Sequence, residues 1–175
     1  MEGEWYSMKG AKVTAATIVS VLFLGLGPSA SAARPIDVSI AKTATGIYRS
    51  PGQHSDPAAP PNPQTYSKKV APGASVRFFI KLKNPNPRAL AHLIRGSGSS
   101  GGFDVTYTSG GVDITSSVTA CGTNVTVPRE GHRIIVMIIT ATSATSGMNG
   151  QFAIGTDMGA CIAYSDVAIA KVRVP

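Results

Sequence analysis

The sequence is short of aromatic residues, of cysteine, of acidic charge and of helical periodicity. Only 6% of its 175 residues are aromatic, and the one tryptophan, Trp5, lies near the start. So few rings leave little surface for stacking bases, which argues against nucleic acid as a partner. There are two cysteines, Cys121 and Cys161, and neither has a histidine or a second cysteine at ligand spacing, so no metal site is expected. From Pro57 to Phe103 there is no carboxylate. The carboxylates beyond residue 33 include no close pair of the kind that acid–base catalysis uses. His54, His92 and His132 lie in different loops or strand edges, and none has a carboxylate or cysteine at triad spacing. No Gly-x-Ser-x-Gly elbow joins a strand to a helix. The glycine-rich stretch Gly96–Gly102 opens a strand and not a helix, so it lacks the helix N-terminus of a phosphate cradle. These absences predict a protein that is not an enzyme and has no catalytic residues and no cofactor.

The longest apolar run, Val13 to Gly27, is too short to span a bilayer comfortably and is interrupted by Ser20, Gly25 and Gly27. Lys9 and Lys12 precede it and Pro28-Ser29-Ala30-Ser31-Ala32-Ala33 follows it. A basic start, a short apolar middle and an Ala-x-Ala end read as a secretory signal peptide over residues 1–32. Cleavage is expected after Ala32, with Ala33 as the near alternative. Glu2 and Glu4 fit a signal poorly, and Met8 before Lys9 is a better start. No cysteine follows the cleavage site and no second hydrophobic tail ends the chain. A secreted protein without an integral membrane span is therefore expected, either released or loosely held at the cell surface. Removing Lys9, Lys12, Glu2 and Glu4 leaves the net charge of +7 unchanged.

What remains, residues 33–175, suits a single domain. In an oxidising compartment Cys121 and Cys161 are expected to pair. Closing a loop of about 40 residues would contribute about 4 kcal/mol in the chain-entropy picture. Two free thiols, or a bridge to another molecule, are the alternatives.

Period-two alternation recurs along this segment. Ile36, Val38 and Ile40 form one series, Val76, Phe78, Ile80 and Leu82 a second, and Phe103, Val105 and Tyr107 a third. Val112–Val118 and Gly122–Val127 are Thr-rich strand candidates, and Ile134–Ile139 is a continuous apolar run suited to a central strand. Phe152–Ile154 and Val167–Val174 complete about eight strands. Pro72-Gly73, Asn84-Pro85-Asn86-Pro87, Gly96–Gly102, Gly110-Gly111, Glu130-Gly131 and Gly147–Gly150 are read as turns. Residues 50–65 hold Pro51, Pro57, Pro60, Pro61 and Pro63 and read as a Pro-rich loop. The pattern predicts an all-β protein, an immunoglobulin-like Greek-key β-sandwich of about 7–8 strands after a cleavable signal peptide. The missing tryptophan excludes a close antibody relative and leaves the architecture open.

Three stretches carry a family resemblance. Val70-Ala71-Pro72-Gly73-Ala74-Ser75-Val76-Arg77-Phe78 through Asn84 resembles the second strand of immunoglobulin-like repeat domains of secreted bacterial proteins, including many from actinobacteria. Gly96–Tyr107 resembles their third strand, Gly111–Thr115 their following segment, and Asp166–Val174 their last strand. The chain departs from the repeats in being a single copy, in its two cysteines and in its Pro-rich insertion. The resemblance implies a structural or interaction module. In an immunoglobulin-like order the Val76 strand lies beside the Ile134 strand. The resemblance then sets Ile135, Met137 and Ile139 inward and Ile134, Val136 and Ile138 outward.

Charge supplies the one directional signal. Lys68, Lys69, Arg77, Lys81, Lys83, Arg88 and Arg95 occupy the window without acids. Arg77, Lys81 and Lys83 fall on one strand face. With Phe79, Ile134, Val136 and Ile138 they form the expected interaction face, basic and apolar together. Such a face suits an anionic cell-envelope polymer or another envelope protein. The sequence therefore predicts a secreted, non-catalytic module, structural or adhesive at the cell envelope. The alternative is a secreted ligand-binding or inhibitor protein that uses the segments Asn84–Gly102 and Gly155–Ser165 at one end of the sandwich.

Overall fold

The computed structural model describes residues 34–49, 64–157 and 164–175, all within one compact unit, Ala33–Pro175. The expected signal peptide, all of the Pro-rich loop before Gln64, and Cys161 lie outside the described residues.

Among the described residues ten strands form: β1 (Asp37–Ala41), β2 (Thr65–Lys69), β3 (Ser75–Lys83), β4 (Leu90–Gly96), β5 (Asp104–Ser109), β6 (Val112–Asp113), β7 (Thr123–Val127), β8 (His132–Thr140), β9 (Asn149–Asp157) and β10 (Tyr164–Arg173). One helical turn, α1 (Thr115–Thr119), lies between β6 and β7. They build two five-stranded sheets, ordered β1-β3-β8-β5-β6 and β2-β10-β9-β4-β7. The pairings are antiparallel except β2 with β10, which is parallel. Most connections carry the chain from one sheet to the other, which explains why turn residues so often separate consecutive strands.

The core lies between the sheets. Phe78, Ile80 and Leu82 of β3, Ile135, Met137 and Ile139 of β8, and Val105 and Tyr107 of β5 supply one side. Ile94 of β4, Phe152 and Ile154 of β9, and Ala168, Ala170 and Val172 of β10 supply the other. Phe103 and Phe152 meet edge to face with ring centroids 6.1 Å apart, a favoured arrangement of aromatic quadrupoles. Each large apolar side chain buried in this way contributes about 1.5–3 kcal/mol.

Three sequence expectations need correction. Val112–Val118 is not a strand. It makes the short β6 and then turns into α1, because its hydroxyls and carboxylate bond locally. The Asp113 carboxylate accepts from the Thr115 N–H at 2.8 Å, and the Thr115 hydroxyl accepts from the Tyr107 N–H at 2.9 Å. That winding buries Val118 completely.

Asn84–Gly102, read as turn and loop, contains β4. Leu90–Ile94 pairs with β7 and Ile94–Gly96 with β9, and the pairing with β7 outweighs the weak strand preference of Ala91 and His92. The segment Thr65–Lys69, mostly polar, becomes β2 in the same way, against β10. Ten strands thus replace about eight.

The third concerns the turn read at Glu130-Gly131 before β8, where glycine is the ordinary source of a positive φ. The left-handed residue there is Glu130, at φ +49°. Its N–H donates to the Asn86 carbonyl at 2.9 Å, which fixes that conformation.

Asn84 and Asn86 form a buried polar knot where three segments meet. The Asn84 amide nitrogen donates toward the carbonyls of Arg88 (2.8 Å), Pro128 (3.0 Å) and Val127 (3.3 Å). The Asn84 Oδ1 accepts from both the N–H and the side-chain nitrogen of Asn86, each at 2.9 Å. The Asn86 side chain exchanges two bonds with the Arg34 backbone, at 2.7 and 2.8 Å. Asp166, fully buried on β10, accepts from the Val38 N–H at 2.7 Å and from the Gln64 Nε2 at 3.0 Å. The Asp166 bonds tie the first strand and the residue before β2 to β10.

Candidate functional site

The strand β3 alternates strictly. Phe78, Ile80 and Leu82 are buried, which turns Arg77, Phe79, Lys81 and Lys83 to the outer face of the first sheet. The partner β8 has the same phase: Ile135, Met137 and Ile139 are buried, and Ile134, Val136 and Ile138 are half-buried on the outside.

The antiparallel register sets Arg77 opposite Ile138, Phe79 opposite Val136, Lys81 opposite Ile134 and Lys83 opposite His132. The seven residues expected to share a face therefore do share one. Ile134, Val136 and Ile138 make an apolar stripe with Phe79 beside it, and the three cations lie along one edge of that stripe. On the far side β5 presents Thr106 and Thr108 opposite Ile138 and Val136. On the near side β1 sets Ser39 opposite Lys81 and Asp37 opposite Lys83.

A hollow of about 390 Å³ opens at the Lys81 and Lys83 end of this face. Its walls include Asp37, Ser39, Tyr48, Glu130 and His132. The Lys81 ammonium lies 3.8 Å from the centre of the Tyr48 ring, within cation–π range. Burial raises the Tyr48 phenol above its usual pKa, so the ring stays neutral beside the cation. The Ser39 hydroxyl is buried at the edge of the hollow and has no hydrogen-bond partner among the described residues.

A second cluster of cations and rings lies where the segment after β1 meets β2. Arg49 and Lys42 stand over the Tyr66 ring at 4.3 and 5.2 Å. The Lys68 ammonium bridges the sheets, donating to the carbonyls of Lys42 and Arg77, and lies 5.3 Å from the Phe78 ring. Burial, and then the charge of Lys42, lower its pKa. The aromatic members of these clusters, Tyr48 and Tyr66, were missed in the sequence. They stand far from their cations along the chain, and only the fold brings them together.

The other predicted residues are placed as follows. Cys121 lies between α1 and β7, and its expected partner Cys161 is outside the described residues. His92 is half-buried on β4 opposite Val125, and His132 is exposed at the start of β8. Burial lowers the pKa of His92. His54 is outside the described residues. The two segments proposed as ligand loops are largely strand: β4 fills much of the first, and the second consists of the end of β9, the start of β10 and residues 158–163, which are not described. Among the described residues no helix is long and apolar enough to cross a membrane.

No family model and no curated protein matches the sequence. Solved structures similar in shape include a family 123 glycoside hydrolase from Clostridium perfringens, whose description concerns glycolipid glycan hydrolysis. It has 12% identity and a TM-score of 0.47 over 81% of this chain. This chain spans only 27% of that protein. The N-terminal domain of PorA is similar at 12% identity and a TM-score of 0.48, over 78% of this chain and 96% of that domain.

Proposed function

We propose that this protein is a secreted, non-catalytic module of immunoglobulin-like Greek-key type that binds an anionic polymer of the cell envelope through the outer face of its first sheet. The observation that carries the reading is the register of β3 on β8, which lines Arg77, Lys81 and Lys83 along an apolar stripe. Three cations on one rigid strand face attract a polyanion over a distance of about one Debye length, roughly 8–10 Å at physiological salt. The stripe adds area for apolar contact. In this reading the signal peptide directs export and is cleaved after Ala32, and Cys121 and Cys161 form a structural disulfide.

Retention on purified cell wall, washed with rising salt, tests the face. The variant Arg77→Gln/Lys81→Gln/Lys83→Gln is expected to elute at clearly lower salt than the natural protein. Equal retention of the two would refute the reading. The half-buried stripe Phe79, Val136 and Ile138 favours a second reading, in which the partner is another envelope protein. In that case Val136→Lys, and not the charge-neutralised variant, abolishes retention.

A further inference from the structure

The outer face of the second sheet carries a separate feature. Its strands β2, β10 and β9 lie side by side, and their register forms three rows across the strands. Ser67, Lys171 and Gln151 make the first row, Lys68, Val172 and Gly150 the second, and Lys69, Arg173 and Asn149 the third. The outer rows are exposed. In the middle row Val172 points into the core, the Lys68 ammonium turns away to the Lys42 and Arg77 carbonyls, and Gly150 has no side chain.

The middle row is thus a floor of backbone between two walls of side chains, and a trough of about 400 Å³ lies over it. The walls are two residues apart along each strand, about 6.5–7 Å, and the trough crosses three strands, about 10 Å. A side chain at Gly150 is excluded on the inner side, where a Cβ would come within 2.8 Å of the Phe152 ring.

The chemistry of the walls is one-sided. Lys171 and Arg173 stand across the floor from each other, Lys69 stands beside Arg173, and among the described residues no carboxylate lines the trough. Ser67, Gln151 and Asn149 add neutral hydrogen-bonding groups at its two ends. Among the described residues the lining has no aromatic ring to stack a base and no large apolar side chain on the open side to enter a bilayer. The exposed large apolar residues Ile47 and Val112 are not part of the lining.

We propose that this trough is a binding site for a linear poly(polyol phosphate) chain. Arg173 would hold one phosphodiester through its planar fork, Lys171 would approach it from the opposite wall, and Ser67, Gln151 and Asn149 would receive the hydroxyls on either side. The site lies on the other sheet from Arg77, Lys81 and Lys83 and does not depend on that face.

The test titrates soluble poly(glycerol phosphate) into the full mature chain, following backbone amides by NMR. Shifts are expected at Ser67–Lys69, Gly150–Gln151 and Lys171–Arg173. Lys171→Gln/Arg173→Gln, with an unchanged melting temperature, should lose about tenfold or more in affinity, in line with losing charge-assisted bonds. Arg77→Gln/Lys81→Gln/Lys83→Gln should leave those trough shifts in place, which separates this site from the first. Unchanged affinity in the trough variant would overturn the proposal. So would shifts confined to the first sheet, equal binding of inorganic phosphate, preference for a sulfated polysaccharide, or binding to phosphatidylglycerol vesicles but not to the free polymer.

Discussion

Replacing Asn84 by alanine should be among the most damaging single changes available to this fold. The Asn84 side chain reaches five groups: three carbonyls through its nitrogen and two donors of Asn86 through its oxygen. Two amide hydrogens serve three carbonyls, so one bond is shared and the effective count is about four. A neutral hydrogen bond contributes about 1 kcal/mol net, which places the whole near 4 kcal/mol. Arg88 and Pro128 are exposed, so water can replace the partner of their carbonyls. The Val127 carbonyl and the Asn86 N–H are buried and cannot be rescued in this way. The expected loss is therefore about 3 kcal/mol, a large share of the roughly 5–15 kcal/mol that stabilises a domain. Urea unfolding at equilibrium measures it as a fall in midpoint at constant slope. Asn84→Asp keeps the acceptor, removes both amide donors and leaves three carbonyls facing a carboxylate, so it should cost at least as much. Asn84→Ala and Asn86→Ala share bonds and should combine to less than their sum. A loss below about 1 kcal/mol for Asn84→Ala would show that the knot is not holding these three segments together.

Tyr107 is fully buried and donates to the Ser97 carbonyl at 2.8 Å, so Tyr107→Phe should cost about 1–2 kcal/mol in the same urea assay. Gly96→Ala should cost about 1–3 kcal/mol by overpacking, because a Cβ there would lie 2.7 Å from the Tyr107 ring and 2.9 Å from Val118. A pH series should expose His92. Burial lowers its pKa in the folded state below the ordinary 6.5. The unfolded chain therefore binds the proton more readily, so stability is full above about pH 6.5 and falls as the pH drops through that value and then through the folded one. Melting temperatures measured between pH 7.5 and 5 should fall less for His92→Gln than for the natural protein, and identical slopes would remove His92 from the account.

The strands that the sequence displayed clearly are the ones whose two faces differ in chemistry. In β3 each buried apolar residue from Phe78 to Leu82 is followed by a half-exposed or charged one. The alternation there reads directly as an inside and an outside. For β8 the sequence showed only an unbroken apolar run, and the phase had to come from resemblance. The strands β2 and β4 were hidden for a different reason. Their pairing energy comes from β10, β9 and β7, which are distant in sequence, and a polar pentapeptide such as Thr65–Lys69 has no preference that announces it. The turn α1 was misread because Thr and Ser serve strands and local caps equally well, and the choice was made by the bonds from Asp113 and Tyr107.

The same division separates the two candidate sites. The basic edge of the first sheet was legible because Arg77, Lys81 and Lys83 belong to one strand, and a period of two is enough to place them together. The trough on the second sheet draws Ser67 from β2, Gln151 from β9, and Lys171 and Arg173 from β10. No periodicity relates residues so far apart, and the parallel pairing that aligns Ser67 with Lys171 is unlike all the other pairings in the fold. Here a reading of charge along the chain fails for a definite reason. Lys68 and Lys69 are adjacent in sequence, yet one ammonium crosses to the first sheet while the other residue joins the exposed row beside Arg173. A strand puts neighbouring cations on opposite faces, so a run of basic residues divides between two surfaces. Arg77, Lys81 and Lys83 on one sheet and Lys69, Lys171 and Arg173 on the other are therefore two separate cationic faces, and selective loss of binding on either face, with the other intact, would demonstrate the division.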